Sequence, residues 1–170
     1  MSHGVRRMGT EPDSTLLVPM SMALLARFIN EPRNWELHKA TFPGIIGPDE
    51  IRGSLEFNEG WTHLEEALGL QPGANQSMVG NALRGVHELG DAESMYTLDV
   101  EVRQIAAALR GVPRRGLEEA LVAVLAREYS GKRGPGGHDD TPGLMAGFDR
   151  LVPFYEEQAR RASALRIFCY

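Results

Sequence analysis

A chain of 170 residues with 42% hydrophobic and 24% charged content has the make-up of a water-soluble globular protein with a core of its own. A formal net charge of -5 and a pI near 5.6 exclude a nucleic-acid face built on bulk positive charge, and the basic pairs Arg6-Arg7, Arg114-Arg115, Lys132-Arg133 and Arg160-Arg161 are short and dispersed. One cysteine, Cys169, excludes an internal disulfide and a cysteine-rich zinc site, and no apolar run approaches the length of a membrane span.

Residues 1–13 are polar and read as a flexible tail, with residues 14–170 as a single domain. Thr15 to Met20 reads as a short apolar strand in which Pro19 belongs at an edge or an end, because it has no N–H to donate. Ser21 is placed to cap a helix through Met22, Leu25, Ala26 and Phe28 that Glu31-Pro32 ends. Phe42-Pro43-Gly44 and Gly47-Pro48 mark turns around Ile45 and Ile46. His38, near Trp35, reads as part of a helix end. Asn58 is a candidate cap for a helix with Trp61, Leu64 and Leu68 on one face, stopped by Gln71-Pro72-Gly73. Residues 77–90 carry helical spacing interrupted by Gly80, Gly85 and Gly90, which predicts one short helix and a loop.

Met95-Tyr96-Thr97 reads as extended. Asp99 then opens the cleanest amphipathic pattern, Val102, Ile105, Ala106 and Leu109. Gly111-Val112-Pro113 breaks it, and Leu117, Leu121, Val124 and Leu125 predict the next helix. Glycines 131, 134, 136 and 137 make the following loop the most flexible composition in the chain. The last helix starts at Thr141-Pro142 and carries Leu144, Phe148, Leu151 and Tyr155, with Pro153 expected to kink or restart it. Ala164 to Tyr170 reads as a β-strand. A strand so late in the sequence must pair with strands already made, so the fold class is α/β, helix-rich with a C-terminal strand. Exposed, Ile167, Phe168 and Tyr170 would form an adhesive edge open to another copy.

Several short segments resemble the YfbM-like family. They are Val102 to Leu109 following Tyr96, Phe148-Asp149-Arg150-Leu151 with Phe154-Tyr155, Gly60-Trp61-Thr62-His63-Leu64, and Gly80-Asn81-Ala82-Leu83-Arg84-Gly85. The likeness spans roughly residues 54–170. It implies a three-layer α/β domain with a small, mostly mixed central sheet. The family is a domain of unknown function and supplies no catalytic residues to carry over. The chain departs from it at the Gly-rich loop 131–137 and through the first fifty residues.

The candidate ligand- or partner-binding residues are Trp61, His63, His87, Glu88, Asp91 and Tyr96. Trp61 and His63 stand two apart on a helix and do not share a face, which sends Trp61 to the core with Leu64 and Leu68. His87 with Glu88 and Asp91 forms a polar group in a loop, where a carboxylate can fix the imidazole tautomer. His138-Asp139-Asp140 reads as an exposed turn, with Asp140 or Thr141 capping the last helix. The glycines at 131–137 follow a helix rather than a strand and precede no Lys-Ser or Lys-Thr pair, so they are neither a dinucleotide fingerprint nor a P-loop.

No nucleophile–base pair, metal set or cofactor motif is present in the sequence, so no catalytic or metal residue and no cofactor is assigned. The expectation is a non-catalytic cytoplasmic binding or interaction domain for a protein partner or small ligand, with no nucleic acid and no membrane, as monomer or homodimer. The alternative is a small-molecule enzyme with a pocket near His87, His63, Tyr96 and Trp61.

Overall fold

In the computed structural model of the chain, residues 14–34, 36–37, 53–90, 94–129 and 140–170 are described. The expected turns at 42–48, Trp35, His38, Asp91, the Gly-rich loop and residues 1–13 lie outside them. The elements are β1 (Thr15–Met20), α1 (Met22–Asn30), β2 (Leu55–Phe57), α2 (Trp61–Gly69), α3 (Ala74–Ser77), a 3-10 turn (Val79–Asn81), β3 (His87–Glu88), β4 (Ser94–Thr97), α4 (Asp99–Gly111), α5 (Arg114–Tyr129), α6 (Thr141–Arg160) and β5 (Ala164–Cys169).

The five strands form one sheet in the order β2-β1-β5-β4-β3. The α/β class and the late strand are as expected; the mixed sheet is not. Every neighbouring pair is antiparallel. β1 and β4 do run the same way, but β5 lies between them in the opposite direction and pairs with both. The interposed strand converts what would have been a parallel contact into two antiparallel ones. It also removes the adhesive edge, since Ile167 is opposite Leu17 on one side and Met95 on the other. Pro19 lies beyond Thr15–Leu17, the stretch of β1 that pairs with β2, and so falls where the ladder on that side has ended.

Side chains alternate across the sheet with period two, and the alternation sorts the core. Leu17, Leu165 and Ile167 point to the face covered by α2, α4, α5 and α6 and join the main core with Trp61, Leu64, Ile105, Leu121 and Leu151. Met20 and Ala164 point to the other face, where α1 lays down Leu25 and Phe28. Among the described residues, helices thus cover the sheet on both faces, α1 with Leu37 on one side and a bundle on the other. Ser21 caps α1 through its Oγ, which accepts from the Leu24 N–H at 3.1 Å.

Several boundaries differ from the sequence reading. The residue before α2 is Gly60, at φ +85, rather than Asn58, whose Oδ1 accepts from Ser14 Oγ at 3.4 Å. Asp99 is the first helical residue of α4 and pairs with Arg103 at 3.0 Å; the cap position falls on Leu98, whose N–H donates to Glu101 Oε2 at 2.9 Å. α6 runs unbroken through Pro153. Its side chains Leu144, Phe148, Leu151 and Tyr155 are buried along one face, and that packing outweighs one lost backbone hydrogen bond. β2 has no periodic signal because it is three residues long.

The turn after the 3-10 segment is held from two directions. Thr15 Oγ1 donates to the Leu83 carbonyl at 2.8 Å and the Tyr155 hydroxyl to the Ala82 carbonyl at 2.7 Å, so two buried carbonyls are satisfied by side chains. The chain then passes close under the sheet at Gly85, φ +94, where a Cβ would come within 2.8 Å of Met95 Cβ and 3.2 Å of Ile167 Cδ1. Gly85→Ala therefore combines a left-handed backbone with overpacking and is expected to lower stability by about 2–4 kcal/mol in denaturant unfolding. Gly69→Ala, in an exposed helical position with nothing within 4 Å of the added Cβ, is expected to raise it by about 0.5–1 kcal/mol.

Candidate functional site

The polar candidates separate into two places. His87 opens β3, a short edge strand rather than the expected loop, and its register partner is Tyr96 on β4. Cross-strand partners point to the same face, so the imidazole and the phenol ring stack at 4.9 Å between centroids and 29° between planes. The carboxylate that meets His87 is neither Glu88 nor Asp91. Glu88 points to the opposite face of β3 and is exposed, and Asp91 lies outside the described residues. The partner is Glu101 in the first turn of α4, with Oε1 2.7 Å from His87 Nε2. Its other oxygen accepts the Leu98 N–H, so one carboxylate ends the orphan backbone of α4 and orients the imidazole. Glu101 carries no sequence signal as a site residue, because its distance of fourteen positions from His87 is closed only by the sheet.

Trp61 and His63 stand on the other face and near the other edge. Trp61 is 1% exposed, packed in the main core, with the Arg84 guanidinium 5.3 Å from its ring centre. Arg84 is fixed there by Glu65, with contacts at 2.7 and 2.9 Å. His63 is half-buried beside Gly60. The four residues expected to share a pocket, His87, His63, Tyr96 and Trp61, are therefore not brought together: two lie at β3–β4 and two at the start of α2.

A cleft of about 280 Å³ lies at that second place, between the β2–α2 turn and the first turns of α6. Phe57, Trp61 and Leu144 form its buried apolar floor, and Glu59, Asp140 and Arg150 stand exposed around it. Arg150 rests on the Phe57 ring at 5.2 Å. Gly143 and Gly147 keep the α6 wall bare, and Gly147 is required by close packing, since a Cβ there would approach Phe57 Cε1 to 2.9 Å. Among the described residues, no group of three His, Cys, Asp or Glu side chains is placed to hold a metal ion, and no helix is long and apolar enough to cross a membrane.

At and just beyond the end of β5, Cys169 and Tyr170 both have raised proton affinities. Burial pushes the Cys169 thiol up, partly opposed by the Thr15 hydroxyl at 3.7 Å, which keeps Cys169 a thiol near neutrality rather than a reactive thiolate. The Tyr170 phenol is pushed up to about 12 because it donates to Glu56 Oε1 at 2.5 Å, with burial a smaller cause.

No protein-family model and no curated protein matches the chain significantly. Among solved structures it is similar to the crystal structure of a protein of unknown function, YfbM from Escherichia coli, at 16% identity. The likeness covers 91% of this chain and 99% of that one, with a TM-score of 0.60.

Glu101→Ala is expected to lower stability by about 1–2 kcal/mol, from the lost cap and the lost His87 contact, measured by denaturant unfolding. The Tyr170 hydrogen bond is present below the ordinary phenol range and is lost as pH rises through about 12. Tyrosinate absorbance should show one tyrosine titrating there, and Glu56→Gln should move it down toward 10. The near-complete overlap at a TM-score of 0.60 shows that this chain has the fold of the YfbM protein.

Proposed function

We propose that residues 14–170 form one binding domain that works in the cytoplasm and holds a small ligand in the cleft between the β2–α2 turn and α6, without chemistry on it. The observation that carries this reading is the make-up of the cleft. Its apolar floor of Phe57, Trp61 and Leu144 is ringed by Glu59, Asp140 and Arg150 in a hollow of about 280 Å³. That volume lies close to the lower end of ligand sites, which run from ~300 to ~1,000 Å³ and combine apolar walls with a few polar groups that fix orientation. A hollow of this size suits a small ligand better than a protein partner, whose contacts are broad. Of the residues singled out from sequence, Trp61 serves this site as floor.

A second reading rests on His87. The Glu101 carboxylate 2.7 Å from its Nε2 resembles the support that general bases receive, and Tyr96 stacks beside it. On this reading the chain is an enzyme whose centre consists of His87, Glu101 and Tyr96, with Trp61 and His63 uninvolved. Any turnover found should fall at least a hundredfold in His87→Ala, and unchanged turnover in that variant rejects the reading.

Gly143 supplies the test of the cleft. A Cβ there meets nothing within 4 Å, so Gly143→Phe fills the opening without disturbing the core. In a fragment screen read by thermal unfolding, compounds that stabilise the natural chain should fail to stabilise Gly143→Phe, whose own stability should lie within about 0.5 kcal/mol of the original. Compounds that stabilise both chains equally, or a screen with no stabilising compound, would overturn the proposal.

A further inference from the structure

We infer that the cleft takes a zwitterionic amino acid with an apolar side chain, an inference that rests on the reading of the cleft as a ligand site. Its charges are the starting point. Surface arginines in this chain are commonly matched to carboxylates: Arg84 to Glu65, Arg103 to Asp99, Arg110 to Glu156, Arg114 to Asp149 and Arg127 to Glu66. Arg150 is held instead against the face of Phe57, an arrangement that steadies the guanidinium and leaves its N–H edge for another acceptor. Among the described residues, Glu59 and Asp140 likewise have no ion-pair partner, with Arg150 or with any other cation. Three formal charges therefore line one small hollow without forming an ion pair among themselves.

That pattern selects a ligand by exclusion. A simple anion would be drawn to Arg150 and repelled by Glu59 and Asp140. A simple cation would be drawn to the two carboxylates and repelled by Arg150. A molecule carrying both signs a short distance apart satisfies both, with its carboxylate on Arg150 and its ammonium on Glu59 and Asp140. The buried floor of Phe57, Trp61 and Leu144 then calls for an apolar side chain on the same molecule. A hollow of about 280 Å³ has room for a leucine or a phenylalanine.

Calorimetric titration of the full chain with L-leucine, L-phenylalanine, 4-methylpentanoate and 3-methylbutylamine separates the terms. The acid lacks the ammonium and the amine lacks the carboxylate, while both keep the side chain of leucine. One of the two amino acids is expected to bind, and the acid and the amine to bind at least tenfold more weakly. Arg150→Met should weaken the amino acid at least tenfold and bring its affinity to that of the amine, and the double change Glu59→Gln with Asp140→Asn should bring it to that of the acid. Both variants alter exposed side chains, and their unfolding curves report whether the fold is kept. Equal binding of the acid or the amine, or no binding of either amino acid, overturns the inference. If uncharged fragments still bind and are lost in Gly143→Phe, the ligand class alone has failed. If nothing binds in the cleft, the reading of the cleft as a site has failed with it.

Discussion

A guanidinium buried at the centre of the sheet is the constraint around which the rest is arranged. Arg166 on β5 is 0% exposed, and desolvating such a charge costs several kcal/mol unless its surroundings replace the lost water. Its guanidinium carbon lies 4.4 Å from the ring centre of Phe28 on α1 and 4.6 Å from that of Phe168 on its own strand, while Nε donates to Ser94 Oγ on β4 at 3.0 Å. Three elements are thereby tied through one side chain. α1 cannot rotate on the sheet without withdrawing Phe28, and β5 cannot slip against β4 without leaving the guanidinium unmatched, since a shift of one residue would turn Arg166 toward the opposite face and the main core. Any other register would carry the cost of a buried and unmatched guanidinium.

With the register fixed, the two polar regions follow. His87 and Tyr96 share a face with Arg166, because Tyr96 is opposite Arg166 across β4–β5 and His87 is opposite Tyr96 across β3–β4. Phe57 is opposite Thr15 and so belongs to the bundle face, where it meets α6 and the start of α2. The imidazole–carboxylate pair and the cleft therefore occupy opposite faces at opposite edges of a five-stranded sheet. Whatever each one does, it does without direct contact with the other.

The sequence was informative where periodicity is long and silent where geometry is made by distant segments. The 3.6-residue patterns of α4, α5 and α6 and the apolar run of β5 were readable because each buries a whole face. Ser21 was readable as a cap because its chemistry is local. β2 and β3 were not, since three and two residues carry no period. Glu101 and Arg166 show the limit most clearly. One looks like an ordinary first-turn acid and the other like a solvent-facing break in an apolar strand; only the pairing of β3, β4 and β5 reveals that each sits against a specific partner. The cleft was hidden for the same reason, because Phe57, Glu59, Asp140 and Arg150 are spread over more than ninety positions.

The placement of β5 bears on how the molecule folds. β2-β1 and β4-β3 are separate ladders with no hydrogen bond between them until β5 is inserted. That strand comes after every other described element in the chain. Without β5, each of β1 and β4 would be left with an unpaired inner border and an apolar face lacking part of its cover. Joining them closes contacts of very long sequence separation in one step, so this step should be slow for a domain of this size.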